Sequence, residues 1–203
     1  MIGFSGRLTA DKGLPELLEA FAMIVRDIPD AYLLLVGWFD AAEDALNWRI
    51  RSRIEGHPRI ICTGFVEDTA AYYRVMDLLV LPSWREGFPN AVLEAAASGV
   101  PVIATRCTGS CDAVVPEVTG LLVPAGRPEA ICDAVLHLLD NPDQRRRMSV
   151  AARAWVAENY ADRKVLGLAI DFYLNLSRTG TAQTSHPAGK KLSEAVTGLA
   201  ASL

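Results

Sequence analysis

Strand-length apolar runs alternate with helix-length segments along most of this 203-residue chain, and this alternation constrains the fold more than any other feature. The runs at 31–37, 77–83 and 100–105 are rich in Leu, Val and Ile, which is typical of strands buried on both faces of a sheet. The stretch at 14–29 instead has apolar residues at helical spacing, with Pro15 where a helix would begin. Strands that alternate with helices predict an α/β fold, a Rossmann-like, doubly wound parallel sheet.

These patterns indicate one domain at 1–176, followed by a tail. Strands are predicted at 2–6, 31–37, 59–66, 77–83, 100–105 and 119–125. Helices are predicted at 14–29, 41–56, 68–76, from residue 89 or 90, at 128–141 and at 142–160, with a Gly- and Cys-containing loop at 107–111. From Ser177 onward Ser, Thr, Gly and Ala predominate, so 177–203 are predicted to be a poorly ordered linker or tail.

Composition and charge exclude several functional classes. A formal net charge of −4 gives no basic excess for binding nucleic acid, and no apolar stretch reaches the length of a membrane span, about 20 residues. The first residues lack the apolar core of a signal peptide, and the four cysteines include neither a CxxC pair nor histidines at metal spacing. Reduced thiols in a cytoplasmic protein are therefore expected, with a Cys107–Cys111 disulfide as the lesser alternative.

The segment between the first strand and the first helix, GRLTADKG, has residues suited to binding an anion. Gly6 permits close backbone approach, Arg7 presents a guanidinium fork to phosphate oxygens, and Lys12 adds a charge beside the helix N-terminus. In a doubly wound sheet, ligands bind at the carboxyl ends of the strands, where this segment lies. It matches neither GxGxxG nor a Walker loop, so taken alone it is better interpreted as a solvated basic loop.

The stretch WREGFPNAVLEAAASG, residues 84–99, places two acids around a helix start. Glu86 lies in the loop, Gly87 and Pro89 interrupt any continuous helix, and Glu94 follows in the second turn of the helix. The free amides at about 88–92 would face the crevice and bind phosphate, while a carboxylate can accept two parallel hydrogen bonds from a ribose diol. The arrangement therefore predicts a phosphate, a ribose and a further group bound side by side. The alternative is that both acids are surface charges.

With these motifs, residues 1–176 resemble the carboxy-terminal, donor-binding half of a GT-B glycosyltransferase. The similarity is to the large retaining family that includes sucrose synthase-like and bacterial polysaccharide enzymes, glycosyltransferase family 4. The specific part is the Glu-x7-Glu motif from Glu86 to Glu94 with EGFP inside it, and the Gly-Arg…Lys segment is moderately specific. The wording REGFPNAVLEAAASGVPVIAT most resembles bacterial surface-polysaccharide enzymes.

The resemblance implies a role for each matched residue. Arg7 and Lys12 would stabilise the departing nucleotide and Glu86 would contact the transferred sugar, which makes these three the catalytic residues. Glu94 would hold the ribose, and residues 63–66 with the loop after 31–37 would line the base pocket. The implied donor-binding set is Gly6, Arg7, Lys12, Thr63, Gly64, Phe65, Val66, Glu86, Gly87, Phe88, Asn90, Ala91 and Glu94. No metal and no cofactor are expected, because the sequence has no Asp-x-Asp motif and positioned cations and amides can stabilise a leaving phosphate.

The chain departs from the family pattern in two ways. The acceptor half and its functional histidine have no counterpart, and the usual Gly-Gly loop reads Gly109–Ser110. Two hypotheses therefore stay open: a transferase acting on a nucleotide diphosphate-sugar, or a nucleotide-sugar-binding module without activity of its own that needs a second chain. A GT-B-like epimerase or phosphorylase is a third, weaker possibility, and no lysine is convincingly placed to carry pyridoxal phosphate.

The expected partners follow from the same resemblance. They are a nucleotide-sugar donor and a glycan or lipid-linked acceptor that is met through the second half, with no nucleic acid. The full enzyme is expected in the cytoplasm, peripheral to the inner face of the cell membrane. An apolar surface left uncovered by the absent half predicts self-association.

Overall fold

The computed structural model describes residues 1–39 and 44–179 and contains one six-stranded parallel sheet. The strands are β1 (Ile2–Ser5), β2 (Leu33–Val36), β3 (Ile60–Cys62), β4 (Leu78–Leu81), β5 (Val102–Thr105) and β6 (Gly120–Val123). The helices are α1 (Leu14–Asp27), α2 (Asp44–Glu55), α3 (Ala70–Tyr73), α4 (Asn90–Ala97), α5 (Thr108–Ala113), α6 (Pro128–Asp140), α7 (Pro142–Asn159) and α8 (Asp162–Thr179). This architecture confirms the predicted α/β fold.

The strand order β3-β2-β1-β4-β5-β6 reverses direction between β1 and β4. Ile2 of β1 pairs with Leu33 of β2 on one side and with Leu78 of β4 on the other. Chain connections therefore leave β1 and β4 in opposite directions across the sheet. In doubly wound sheets, ligands bind in the crevice outside the carboxyl ends of the two strands at which the order reverses, which here are β1 and β4.

The core is built on the central strands, whose residues are buried on both faces. All residues of β1, β2, β4 and β5 are buried, as the continuous apolar runs predicted. Helices α1 and α6 pack against each other, and Phe21 on α1 and Leu138 on α6 are both buried. The core fixes the strand ends, and the strand ends position the loops of the candidate site.

Two helices differ from the sequence prediction. Residues 108–113 form α5 where a Gly- and Cys-containing loop was expected, because Gly109 and Ser110 are buried by tertiary packing that local composition does not record. Cys107 lies just before this helix, and all four cysteines are free thiols, so the alternative of a Cys107–Cys111 disulfide is not realised. No helix is predicted over the residues of α8. This helix includes residues 177–179, which belong to the predicted tail.

The chain divides into two compact units, Met1–Ala154 and Trp155–Leu203. The sheet and the candidate site belong to the first unit. In the second unit, the Trp155 and Tyr160 rings lie 5.0 Å apart and α8 exposes Leu166, Ile170 and Tyr173. The domain boundary at 176 stays a prediction, and residues 180–203 of the predicted tail lie outside the described residues. Over the described ranges, no helix has the length and apolar character needed to cross a membrane.

Candidate functional site

Two glycines bring the first two strand ends into direct backbone contact. The amide of Gly6 donates to the Val36 carbonyl at 3.0 Å, and the amide of Leu8 donates to the Trp38 carbonyl at 2.8 Å. A Cβ on Gly37 would lie 1.8 Å from the Gly6 carbonyl oxygen, so no larger residue fits there. The loop that carries Gly6 and Arg7 therefore runs against the loop after β2.

A third glycine fixes the start of α1 against the loop after β4. Gly13 has a left-handed φ of 71°, and a Cβ there would lie 2.1 Å from the Pro82 carbonyl oxygen. Next to this contact, the Trp84 amide donates to the Asp11 carbonyl at 2.9 Å. Lys12 lies between these two anchors, so its side chain starts beside the loop that carries Glu86.

Lys12 and Glu86 form an ion pair across the crevice. Lys12 Nζ lies 2.8 Å from Glu86 Oε1, and the two side chains are only 20% and 9% exposed. The pair joins the segment 6–13, predicted to bind an anion, to the stretch 84–99, in which Glu86 is predicted to contact a sugar. Because both groups are largely shielded from water, their interaction is stronger than that of a surface ion pair.

Helix α4 begins at Asn90, as the sequence predicted. Pro89 is its N-cap residue, with extended backbone angles of φ −82° and ψ 98°, and its side chain makes no capping hydrogen bond. The Val92 amide donates to the Pro89 carbonyl at 3.0 Å, so the predicted set of free amides must exclude Val92. The amides of Asn90 and Ala91 stand at the positive end of the helix dipole, where an anion is favoured.

The loop before α4 is held in place by α5. The Gly109 amide donates to the Glu86 carbonyl at 3.2 Å, and a Cβ on Gly109 would lie 2.3 Å from the Gly87 carbonyl oxygen. Gly109 is therefore a packing requirement of the Glu86–Gly87 loop. Ser110 is fully buried and lies 3.2 Å, Oγ to Sγ, from the thiol of Cys107. The Gly109–Glu86 hydrogen bond is thus present with serine at position 110, where the resembled family has its second glycine.

Glu94 accepts hydrogen bonds from two side chains that the sequence did not identify as site residues. Its Oε2 accepts hydrogen bonds from Thr69 Oγ1 at 3.0 Å and from Tyr73 Oη at 2.9 Å. Tyr73 is 1% exposed and forms part of the core. Burial and the nearby charge of Glu94 raise the pKa of Tyr73, so the phenol remains a hydrogen-bond donor at neutral pH. Only a tertiary contact identifies these residues, because nothing in TAAYYRVM itself indicates a contact with Glu94.

An acid that the sequence did not single out lies among the cations of the first loop. Burial would raise the pKa of Asp11, but a hydrogen bond from Thr9 and the charges of Lys12 and Arg7 bring it below its ordinary value. Asp11 is therefore ionised at neutral pH and offsets part of the positive charge. Arg7 is exposed on the same loop.

The segment 63–66 lies beside the loop after β2. Gly64 pairs with Gly37 in an isolated bridge, and Thr63 Oγ1 donates to the Gly64 carbonyl at 2.8 Å. The Phe65 ring is 64% exposed and meets the Trp38 ring edge-on, with centroids 5.2 Å apart. The sequence analysis predicted that the loop after β2 lines the base pocket, but it did not identify Trp38. Two exposed aromatic rings thus stand at the carboxyl ends of β2 and β3.

The described residues contain no group of three or more His, Cys, Asp or Glu side chains that could hold a metal ion. Positive charge at the crevice is supplied by Arg7, Lys12 and the start of α4. The arrangement suits a ligand with an anionic centre and several hydroxyl groups, because cations, helix amides and two carboxylates meet along one edge.

A protein-family model described as "Glycosyl transferases group 1" matches residues 1–141. The capsular polysaccharide biosynthesis glycosyltransferase CapM of Staphylococcus aureus is 31% identical over 163 residues, which cover 80% of this chain and 43% of CapM. The chain thus spans less than half the length of that relative.

Solved structures have the same fold. The C-terminal domain of the glycosyl transferase group 1 family protein LpcC of Francisella tularensis matches with a TM-score of 0.72 at 26% identity, covering 79% of this chain and 86% of that domain. Anabaena HepE, solved in complex with UDP, matches with a TM-score of 0.78 at 22% identity, covering 87% of this chain and 48% of HepE. At that identity, the HepE match shows the fold alone.

Proposed function

The chain belongs to the glycosyl transferases of group 1, and we propose that it is the donor-binding half of a retaining GT-B enzyme of family 4. In this proposal the enzyme moves a hexose from a nucleoside diphosphate-sugar to a glycan or lipid-linked acceptor. The observation that carries the proposal is the Lys12–Glu86 pair at the mouth of α4, with Glu94 one turn along the same helix. These groups match the three chemical parts of such a donor: diphosphate, sugar and ribose.

Each group has a defined task in the proposed reaction. When the bond between the sugar and the diphosphate breaks, negative charge develops on the leaving diphosphate. Arg7, Lys12 and the amides of Asn90 and Ala91 stabilise that charge from fixed positions, which is an effective form of transition-state stabilisation. Since these groups supply the positive charge, we propose that the reaction needs neither a metal ion nor a cofactor.

The two acids and the segment 63–66 orient the donor. Glu94 accepts hydrogen bonds from the ribose hydroxyls, and Glu86 contacts the transferred sugar. The segment 63–66 lines the base pocket at the carboxyl end of β3. The UDP bound to HepE makes UDP the first nucleotide to test.

A second candidate is a binding module that has no turnover until another chain supplies the acceptor face. The chain matches only 43% of CapM, and in this candidate another chain supplies the remaining part of the transferase. Both candidates share the donor site and differ only in turnover. In either case we propose that the chain acts in the cytoplasm, with the acceptor presented by a second half at the membrane face.

Binding of free nucleotides tests the donor site directly. Titration calorimetry with UDP, GDP and ADP should detect binding of at least one, and Lys12→Met should weaken that binding about tenfold or more, since a charge-assisted contact is lost. Lys164→Met, the same substitution in the second unit, is the control and should bind as the parent does. Absence of binding to all three nucleotides, or equal loss in both variants, would overturn the proposed site.

Turnover separates the two candidates. The 203-residue chain should bind donor yet transfer little or no sugar, because the acceptor face is missing. Release of free nucleotide from the matching nucleotide-sugar, measured with and without acceptor glycan, provides the assay. Robust transfer by this chain alone would refute both the binding-module candidate and the need for a second half.

A further inference from the structure

We infer that Tyr73, together with Thr69, is a positioning residue that aims the Glu94 carboxylate at the ribose of the bound nucleotide. This inference rests on the proposed function, in which Glu94 holds the ribose. Neither residue belongs to a motif of the sequence, and neither is expected to touch the ligand. Their effect is exerted on one oxygen of one carboxylate.

The contact geometry shows how such positioning works. Both donors, Tyr73 Oη and Thr69 Oγ1, bond to Oε2, at 2.9 Å and 3.0 Å. Two donors on the same oxygen fix the plane of the carboxylate, and neither of these two bonds uses Oε1. Oε1 is therefore the oxygen turned toward a ligand hydroxyl. A carboxylate oriented in this way can accept a hydrogen bond without first giving up a contact.

The positioning groups are themselves rigid. The Tyr73 side chain is 1% exposed and packs within the core, where the buried strand β1 also lies. The Tyr73 amide also donates to the Thr69 carbonyl at 3.2 Å, which ties the two donors together through the α3 backbone. The phenol oxygen is thus placed by the sheet and by α3 and does not depend on the ligand.

Glu94 needs such support because it is an exposed residue on a long, flexible side chain. A free glutamate side chain loses rotamer entropy when it is immobilised by a ligand, and preorganisation removes part of that cost. The two hydroxyl donors hold the carboxylate in place, and a carboxylate can accept hydrogen bonds from a diol. Preorganised charge at this position favours ribose over a sugar without hydroxyl groups.

The test compares two ligands that differ only in the ribose hydroxyls, UDP and 2′,3′-dideoxyuridine diphosphate, with the guanosine pair in parallel. Tyr73→Phe and Thr69→Val each remove one donor, Glu94→Gln removes the carboxylate, and Tyr72→Phe is the matched control on the neighbouring residue. Tyr73→Phe and Thr69→Val should each weaken ribonucleotide binding about three- to tenfold and leave dideoxynucleotide binding unchanged. Tyr72→Phe should change neither affinity.

The outcomes separate this inference from the proposed function. If the parent protein binds neither ribonucleotide, if it does not discriminate between the ribo and dideoxy ligands, or if Glu94→Gln discriminates between them as the parent does, the ribose role of Glu94 is refuted, and so is the positioning role that depends on it. If Glu94→Gln abolishes the discrimination while Tyr73→Phe and Thr69→Val preserve it, only the positioning role fails. Equal losses for both ligands in Tyr73→Phe would show general structural damage and would also refute the positioning role.

Discussion

Replacing Glu86 with Gln should tighten the binding of free nucleoside diphosphate. Glu86 Oε1 lies 2.8 Å from Lys12 Nζ, so a phosphate group must compete with this carboxylate for the same ammonium. Gln keeps the volume and one acceptor oxygen of Glu but removes the charge. The substitution therefore weakens the competitor and also removes a negative charge from the neighbourhood of an anionic ligand.

The magnitude follows from the burial of the pair. Two unit charges about 4 Å apart interact by about 1 kcal/mol in water and about 4 kcal/mol at the effective dielectric near a protein surface. The Lys12 and Glu86 side chains are 20% and 9% exposed, so the second of these values is the relevant one for this pair. Since Gln still accepts a neutral hydrogen bond, we expect a gain of about 1–2 kcal/mol, or about 5- to 30-fold in Kd.

Titration calorimetry of parent and Glu86→Gln with UDP and GDP, at low and high salt, measures this gain. Glu19→Gln, the same change at an exposed position on α1, is the control and should shift Kd less than twofold. The gain should be smaller for the nucleotide-sugar, because that ligand loses its proposed contact with Glu86. Unchanged or weaker binding of free nucleotide by Glu86→Gln at both salt concentrations would refute competition for Lys12.

Three further predictions concern stability and reactivity. Gly13→Ala should lower the free energy of unfolding by about 2–4 kcal/mol in denaturant titrations, because it adds left-handed strain and a backbone clash. Burial raises the pKa of Tyr73 above its ordinary 10.0, so the protonated phenol contributes fully to stability below pH 10, and this contribution is lost as the pH rises above 10. Tyr73→Phe should therefore show a smaller loss of stability over the same pH range. Cys132, buried and with a raised pKa, should react with a thiol reagent more slowly than exposed Cys62 and Cys111.

Each of these predictions has a defined contrary result. Gly167→Ala, in a helix and with open space around the added carbon, is the control for Gly13→Ala, and similar unfolding energies for the two variants would contradict the clash. Parallel stability curves of parent protein and Tyr73→Phe from pH 9 to 11 would contradict the shifted pKa. Simultaneous labelling of all cysteines in the folded protein would show that Cys132 is accessible.

The sequence by itself predicted the six strands and six of the eight helices of the described residues, and it indicated the edge of the sheet at which the candidate site lies. Continuous Leu, Val and Ile runs such as 33–36 can be buried only as strands covered on both faces, and the alternation with helices then fixes a parallel sheet. The start of α4, at Asn90, was also predicted to within one residue, because Gly87 and Pro89 prevent a continuous helix before it. These features depend on residues that are close in sequence, and for this reason the sequence alone predicts them.

The tertiary structure alone decided which groups meet. Lys12 and Glu86 are 74 residues apart in sequence, and their pairing depends on the placement of β1 beside β4 and on the contact of Gly13 with the loop after β4. The two donors on Glu94 and the burial of Gly109 that makes α5 helical are likewise long-range contacts. Periodicity records which face of an element is buried but not which side chain lies opposite, so the hydrogen-bond partners of a site appear only once the sheet has assembled.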